Sequence, residues 1–413
     1  ILSLMADQER RLAERGFSPV LLRGGQSAGE REAVWAKLRR GESKCVIANP
    51  EVLLSRRVWE KLPELSIIHT VIDEAHCVSE WGESFRPAYL EIGAIVRQTG
   101  APLVTAFTAT ASEPVLEKID RLIFGEEGAR RITGNPDRPN IEYRAQGCVL
   151  RDLAVRDLLV SNERPAIVFC SSRSGTEHLA RYLRNELSEA ALPWAGEVRF
   201  YHAGLDREEK RVLEQWYLRN PEAVLVSTCA FGLGVDKADI RTVIHRDCPP
   251  SVEAYLQESG RAGRDGKQSR AVLLWGPGDE GRLEGVRSPR ERSRLEDLFA
   301  YGRNHRSCRR EGLLALLNYE GSGEKPEGPC CDVCSGEARD TLREEASLRD
   351  FFRRNRRSYT LREASGVLAA AETVRWTGED AAAAVTALLR KGTLKEMKGP
   401  LWKGKLTPGK TPA

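Results

Sequence analysis

The sequence predicts an α/β fold: two domains built on parallel sheets, then a helical cysteine-bearing segment and a small winged-helix module. Three observations carry this. Short apolar runs alternate with amphipathic stretches; the alternation restarts after Asn135–Tyr143 ("NPDRPNIEY"), where two prolines interrupt; and after about Pro277 it gives way to helical, Arg-rich sequence. Strand–helix alternation argues for parallel sheets covered on both faces.

The strand-like runs are Cys45–Ala48, Thr70–Ile72, Leu103–Phe107, Ala166–Cys170, Val224–Ser227, Thr242–His245 and Ala271–Trp275. Helical stretches lie between them: Glu30–Arg40, Glu113–Phe124, Gly175–Glu189 and Glu208–Leu218. Near the C-terminus the pattern is helix, helix, helix, hairpin. Leu348, Phe351 and Phe352 open one apolar face, and Leu361, Ala364, Val367 and Leu368 make a second. Thr377 caps a third helix that carries Val385, Leu388 and Leu389 and ends at Gly392. Two short strands around Gly399-Pro400 complete a winged-helix pattern.

A chain of 413 residues holds roughly two to four domains. No run approaches the ~18 apolar residues of a membrane span, and nothing at the start reads as a signal peptide. Residue 1 is Ile, and "ILSLMADQ" begins inside a pattern, so the true start is expected to be missing. The net charge of +4 is uneven: residues 339–413 hold 16 Lys/Arg against 9 Asp/Glu, a net +7, which leaves about −3 for residues 1–338. A basic C-terminal module suits a polyanion, or is a solvated surface. Six cysteines (Cys45, Cys77, Cys148, Cys170, Cys229, Cys248) are scattered, several in apolar runs where Cys packs as a small hydrophobe. Without a secretion signal, a reducing, cytoplasmic setting is expected.

Val71 and Ile72 place Asp73-Glu74-Ala75-His76 at the carboxyl end of a buried strand, where open α/β sheets bind ligands. One carboxylate there can hold Mg²⁺ through its water shell while a second orients an attacking water. A helix N-terminus with acidic caps is the plainer reading. In "QESGRAGRDG", Gln257–Gly266, two arginines sit three apart among glycines. Phosphoryl transfer needs a cation at the γ-phosphate, and a basic surface turn does not explain the paired spacing. Upstream, Ser227–Ile240 runs a strand into a Gly-containing loop with Asp236.

"DEAH", "FTATA" (Phe107–Ala111), "IVFCSSR" (Ile167–Arg173), "YHAGL" (Tyr201–Leu205), "AFGLGVDK" and "QESGRAGRDG" together resemble the ordered motifs of superfamily 2 helicases. "EWGESFRPAY", after DEAH, and the cysteine cluster are similar to the RecQ branch. The resemblance implies two RecA-like domains, the first incomplete (1–143 and 144–280), a zinc-binding subdomain (281–338) and a winged helix (339–413). Its implied activity is ATP-dependent 3′ to 5′ DNA unwinding in repair and recombination. Its partners are ATP, single-stranded DNA and fork or duplex DNA; a single-strand-binding protein is a further partner the residues do not specify.

The resemblance also implies roles. Asp73 and Glu74 would bind Mg²⁺–ATP and activate water. His76, with Thr108 and Thr110, would couple nucleotide state to DNA grip. Trp81, Phe85 and Arg86 would sense single-stranded DNA, since bases stack on aromatics without sequence preference; Phe85 also reads as core packing. Gln257, Arg261 and Arg264 would serve the nucleotide, with Arg264 as the finger, and Gly234 and Asp236 would sit near it. Ser171, Arg173, His202 and Thr228 would contact DNA.

No G-x-x-x-x-G-K-[ST] occurs in these residues. Without that loop's N–H groups and Lys, the β- and γ-phosphates lose their main cradle, so these residues alone are expected to hydrolyse ATP hardly at all. The alternative from another class is a truncated, non-catalytic zinc and winged-helix DNA-binding protein.

Cys331-x-x-Cys334 is a zinc-chelating turn, Cys330 adds a third thiol and Cys308 a fourth, which makes a closed structural site. A vicinal disulfide or one unused Cys is the alternative. The zinc would pin the Arg-rich segment Arg282–Arg310 onto the second α/β domain. On the wing, Lys395, Lys398, Lys403 and Lys405 suit duplex phosphates. Trp402 reads either as a strand-separating wedge or as closure of the small core.

Overall fold

The computed structural model describes every residue except 1, 81–86, 109–112, 126–127, 233–236, 318, 320–325, 327, 371–375 and 410–413. The chain forms two compact units. One comprises the described residues of Ile1–Asp137, Phe231–Asp236 and Leu314–Ser322; the other comprises those of Arg138–Ala230, Lys237–Leu313 and Gly323–Ala413.

In the first unit, β1 (Pro19–Leu22) pairs in parallel with β2 (Cys45–Ala48), and β3 (His69–Ile72) with β4 (Leu103–Ala106). Between β1 and β2 runs the Ala28–Arg39 helix. Ser27 and Glu30 start it with a reciprocal capping box, which satisfies two otherwise orphaned N–H groups. Trp35 on this helix packs with Leu22, Val52, Val58 and Leu62. The β3–β4 pair departs from the expected double-faced burial. Thr70, Ile72, Val104 and Ala106 face inward, and Ile72, Val104 and Ala106 pack against a cluster that includes Val78, Ile92 and Ile119. The alternate residues do not: Val71 is 53% and Leu103 54% exposed. Strand side chains alternate between faces, so one face of this pair is open.

The second unit contains six parallel strands in the order β5-β10-β9-β6-β8-β7. They are β5 (Ile141–Gly147), β6 (Ala166–Phe169), β7 (Val198–Tyr201), β8 (Val224–Ser227), β9 (Thr242–His245) and β10 (Ser269–Trp275). Every residue of β6, β8 and β9 is buried, as expected of a sheet covered on both faces. The Arg151–Ser161 and Arg173–Glu189 helices supply Ala154, Val155, Leu179, Leu183 and Leu187 to one core layer.

β5 is an edge strand, and its outer side is closed by the cysteine segment. Tyr143 N–H donates to Cys330 O (3.2 Å), Asp332 N–H to Tyr143 O (3.2 Å), and Arg343 N–H to Gly147 O (2.7 Å). Beyond it, the Glu344 carboxylate accepts from the N–H groups of Val149 and Leu150. These bonds satisfy a row of backbone groups that an open edge would expose.

The last module is the expected helix, helix, helix, hairpin: Glu345–Arg354, Leu361–Ala369, Gly378–Arg390, then β11 (Leu394–Glu396) antiparallel to β12 (Leu406–Pro408). Thr377 caps the third helix through Asp380 N–H, and Gly392 adopts φ +79° after its end. The core holds Leu348, Phe352, Ala364, Leu368, Trp376, Val385 and Leu388. Val367, expected on the apolar face, is exposed. Trp402 does not close this core: it is 42% exposed, and Trp376 fills that role. Among the described residues no helix is long and apolar enough to cross a membrane.

Candidate functional site

Asp73 and Glu74 follow directly on β3, at its carboxyl end. The β3–β4 ladder runs on past the strands: Phe107 N–H donates to Ile72 O and Ala75 N–H to Phe107 O, both at 2.8 Å. This seats the acidic turn against Thr108. His76, buried, then touches both sides. Its Nδ1 lies 3.1 Å from Thr108 Oγ1 and 3.4 Å from Glu74 Oε2. Glu74 adopts φ +51°, a left-handed conformation that costs a side-chain-bearing residue about 1–2 kcal/mol. Such strain clusters at sites where a side chain must be aimed. Asp73 is exposed; its Oδ1 accepts from Glu74 N–H (2.9 Å) and its Oδ2 from Gln8 Nε2 (2.8 Å). An exposed carboxylate with lone pairs to spare at a strand end suits a hard divalent cation. Gln8, on the Leu2–Glu14 helix, went unnoticed in the sequence because its partner lies 65 residues away.

In the second unit, the arginine turn follows the Val252–Ser259 helix, which Ser251 caps. Gln257 on that helix is half-buried, Arg261 is buried and Arg264 is exposed. The turn is held from outside. Arg138 donates to the carbonyls of Gly260 (2.8 Å), Ala262 (2.9 Å) and Gly263 (3.0 Å). Asn140 donates to Gly263 O (2.7 Å) and Lys267 O (2.9 Å). Asp265 pairs with Arg241 at 2.5 Å, which holds its carboxyl below the usual range. Sequence reading passed over Arg138 and Asn140; the one local signal was their place in the proline-broken stretch. Gly263 is forced: φ is +54°, and a Cβ would lie 2.5 Å from both Asn140 Nδ2 and Lys267 O.

Parallel pairing of β6, β8 and β7 sends the loops after these strands to one edge of the sheet. Ser171, Thr228 and His202 lie in those loops. Ser171 N–H and Oγ both donate to Asp247 Oδ2 (2.9 and 3.1 Å). Burial works against ionisation of Asp247, but Arg246 and the Ser171 N–H outweigh it and hold its carboxyl low. His202 Nε2 lies 2.9 Å from Glu177 Oε1, and its Nδ1 is buried without a hydrogen-bond partner. A Cβ on Gly204 would lie 3.2 Å from that Nδ1 and 3.3 Å from a guanidinium nitrogen of Arg173. The fold therefore brings Arg173 and His202 together around a bare backbone. Thr228 N–H donates to Tyr201 O. Asp247 and Glu177, which position these side chains, were not singled out in the sequence. Trp81, Phe85, Arg86, Thr110, Gly234 and Asp236 lie outside the described residues.

The thiols of Cys308, Cys330, Cys331 and Cys334 lie within 4.8 Å of one another, and none is in a disulfide. The Cys308–Cys330 and Cys308–Cys331 sulfur separations are 3.5 and 4.0 Å. Four sulfurs on a tetrahedron about 2.3 Å from a shared ion lie about 3.8 Å apart, so the spacing fits one metal held by all four thiols. Burial pushes the Cys331 thiol up, but N–H groups of Cys334, Arg309 and Val333 prevail and draw it below its ordinary value. Beside the cluster, Arg309 (1% exposed) pairs with Asp332 at 2.5 Å, and Asp332 Oδ2 accepts from Ala145 N–H.

On the wing, the Arg357 guanidinium lies over the Trp402 ring, 5.9 Å from its centre. Arg353 and Arg354, at the end of the first helix, and Arg356 and Arg357, on the turn after it, are all exposed. Lys405, expected on the phosphate-facing wing, is bonded to Glu363 (2.7 Å) and Ser358 O instead.

Comparison with known proteins fits this geometry. The DEAD/DEAH box helicase model matches residues 1–119, and the helicase conserved C-terminal domain matches residues 150–266. ATP-dependent DNA helicase RecQ of Haemophilus influenzae is 33% identical over 344 residues, covering 81% of this chain and 53% of that protein. Probable ATP-dependent DNA helicase RecS of Bacillus subtilis is 39% identical over 285 residues, covering 68% and 55%. The chain belongs to the RecQ family of helicases. It spans about half the length of these curated relatives. Two solved structures share the RecA-like fold: helicase MrfA bound to DNA (TM-score 0.54, 17% identity, all of this chain and 50% of that one), and Mycobacterium smegmatis helicase Lhr bound to single-stranded DNA and AMP-PNP (0.50, 23%, 66% and 38%).

Gly263→Ala is expected to lower unfolding free energy by about 2–5 kcal/mol, from left-handed strain and overpacking together. Urea denaturation measures this; a loss under about 1 kcal/mol would show that the turn relaxes without its glycine.

Proposed function

We propose that this chain supplies the hydrolytic carboxylates, the arginine turn and the DNA-facing surfaces of an ATP-dependent DNA helicase that moves 3′ to 5′ and serves repair and recombination. The observation that carries the reading is the Asp73–Glu74–His76–Thr108 set at the carboxyl end of β3. Asp73 would take the Mg²⁺ of Mg²⁺–ATP, whose charge supports the transferring phosphoryl group. Glu74 accepts a proton from water, and His76 links that carboxylate to the Thr108 turn. Arg264, exposed on a clamped turn, neutralises charge developing on the phosphate, with Gln257 and the buried Arg261 shaping the turn. Ser171, Arg173, His202 and Thr228 contact a single strand, and Trp81, Phe85 and Arg86 with Thr110 sense it.

The four cysteines hold zinc as a structural ion. Lys398, Lys403 and Trp402, joined by the Arg353–Arg357 face, hold duplex DNA at the fork, with Trp402 as a stacking wedge. The free thiols and a DNA partner support a cytoplasmic setting. The second α/β domain begins at Arg138, with β5 whole inside it rather than cut at 143/144, and the later divisions fall at 280/281 and 338/339.

In the full-length gene product, Glu74→Gln is expected to lower DNA-stimulated ATP turnover about 10²–10⁴-fold with DNA affinity within about twofold. Unchanged turnover removes Glu74 from the base role, and no DNA-stimulated hydrolysis in the wild type overturns the helicase reading.

Elemental analysis should find about one zinc per chain, lost in Cys331→Ser. A wild-type content far below one sinks the zinc assignment.

Replacing Arg354, Arg356 and Arg357 together by Ala should reduce the slope of log affinity against log salt for duplex DNA by about 2–3. An unchanged slope means this face does not meet phosphate.

A further inference from the structure

The cysteine cluster and the arginine turn are joined by a buried line of side chains within the second unit. Arg309 follows Cys308, and Asp332 follows Cys331, so their ion pair sits against two of the four thiols. Arg309 Nη1 also donates to Tyr301 O (2.7 Å), and its guanidinium lies over the Tyr301 ring. The Tyr301 ring meets Tyr255 (centres 5.4 Å apart, tilted 50°), and Tyr255 meets His245 (4.8 Å, 57°). His245 Nε2 lies 2.9 Å from Glu258 Oε2, while the opposite ring neighbour is Phe169. Tyr255 and Glu258 both stand on the Val252–Ser259 helix, which also carries Gln257 and leads into Arg261 and Arg264.

Every member of the line is buried. Desolvating a guanidinium costs several kcal/mol, and apolar side chains often fill such space with equal or better stability. A fully buried Arg309, tied to the metal loop on one side and to Tyr301 on the other, is therefore poorly explained as filling alone.

We infer that Arg309, Tyr301, Tyr255 and His245 are positioning residues: they transmit the geometry of the metal centre to the helix and turn that bear Gln257, Arg261 and Arg264. This rests on the nucleotide role proposed above for that turn. With the metal bound, Cys308 and Cys331 are fixed, Arg309 and Asp332 hold one geometry, and the packed, tilted rings set the height of the helix. Without it, the turn loses its reference point although the sheet remains.

Hydrogen exchange of the 257–264 amides tests this in the zinc-loaded protein, before and after chelation, for wild type, Tyr301→Leu and Tyr301→Phe. In wild type and Tyr301→Phe, which keeps the ring, chelation is expected to speed exchange there about tenfold. In Tyr301→Leu these amides should already exchange fast, with chelation adding less than about twofold. The amides of β7, at the opposite sheet edge, should stay unchanged throughout. Equal chelation effects in wild type and Tyr301→Leu overturn the inference, as does no effect in wild type. Acceleration that includes β7 also overturns it, because that is general destabilisation. If the protein is isolated without metal, zinc is added back: slower exchange at 257–264 in wild type and Tyr301→Phe but not in Tyr301→Leu supports the line, and equal slowing in all three refutes it. ATP turnover of the full-length gene product is a separate reading. There kcat should fall about tenfold in Tyr301→Leu with KM within about twofold, and Tyr301→Phe should restore it. A protein that passes the exchange test yet shows no DNA-stimulated hydrolysis refutes the helicase role and leaves the positioning line standing.

Discussion

Parallel strand pairing is the constraint on which the second unit depends. When neighbouring strands run the same way, each must be followed by a crossover, and the loops that leave their carboxyl ends fall on one edge. The order β9-β6-β8-β7 therefore gathers Asp247, Ser171, Thr228 and His202, which are spread over 77 positions of sequence. The same rule on the smaller β3–β4 pair brings His76 to Thr108. Burial of β6, β8 and β9 on both faces makes that edge rigid, so polar side chains on it are aimed by the sheet rather than by their own short turns.

A parallel sheet still has edges, and here one of them becomes an attachment point. The outer side of β5 pairs with the segment that carries Cys330, Cys331 and Cys334, and Glu344 continues the seal at Val149 and Leu150. Closing the edge serves two ends. It satisfies backbone groups that would otherwise invite another chain, and it fixes the cysteine loop to the sheet that carries the arginine turn. The Asp332 carboxylate is the junction, since it accepts from Ala145 on β5 and from Arg309 beside Cys308. The winged-helix module is seated in the same way, with Leu150 entering its core.

Much of this was legible in the chain. The runs Cys45–Ala48, Val224–Ser227 and Thr242–His245 are strands with those bounds, because short β-branched runs between amphipathic helices have few other uses. The cysteine cluster was legible because four thiols have a narrow chemistry, and the structure brings all four together. Strands β1, β5 and β7 were missed. Pro19 opens the first, and charged or polar residues interrupt the other two (Glu142, Arg144 and Gln146; Arg199), which hid an apolar pattern that pairing with a neighbour makes possible.

The sequence by itself determined the alternation of strands and helices, the caps at Ser27 and Thr377, the order of the motifs and the four thiols. These follow from local periodicity, local hydrogen bonding and intrinsic ligand chemistry, none of which needs a distant partner. Only the tertiary structure decided that Gln8 meets Asp73, that Arg138 clamps the arginine turn, that Lys405 is engaged while Trp402 stays exposed, and that Arg309 links the thiols to Tyr301. Each of these depends on which strands become neighbours and how an edge is closed. A one-dimensional pattern does not specify that, because it records which side of an element is apolar and not what that side will meet.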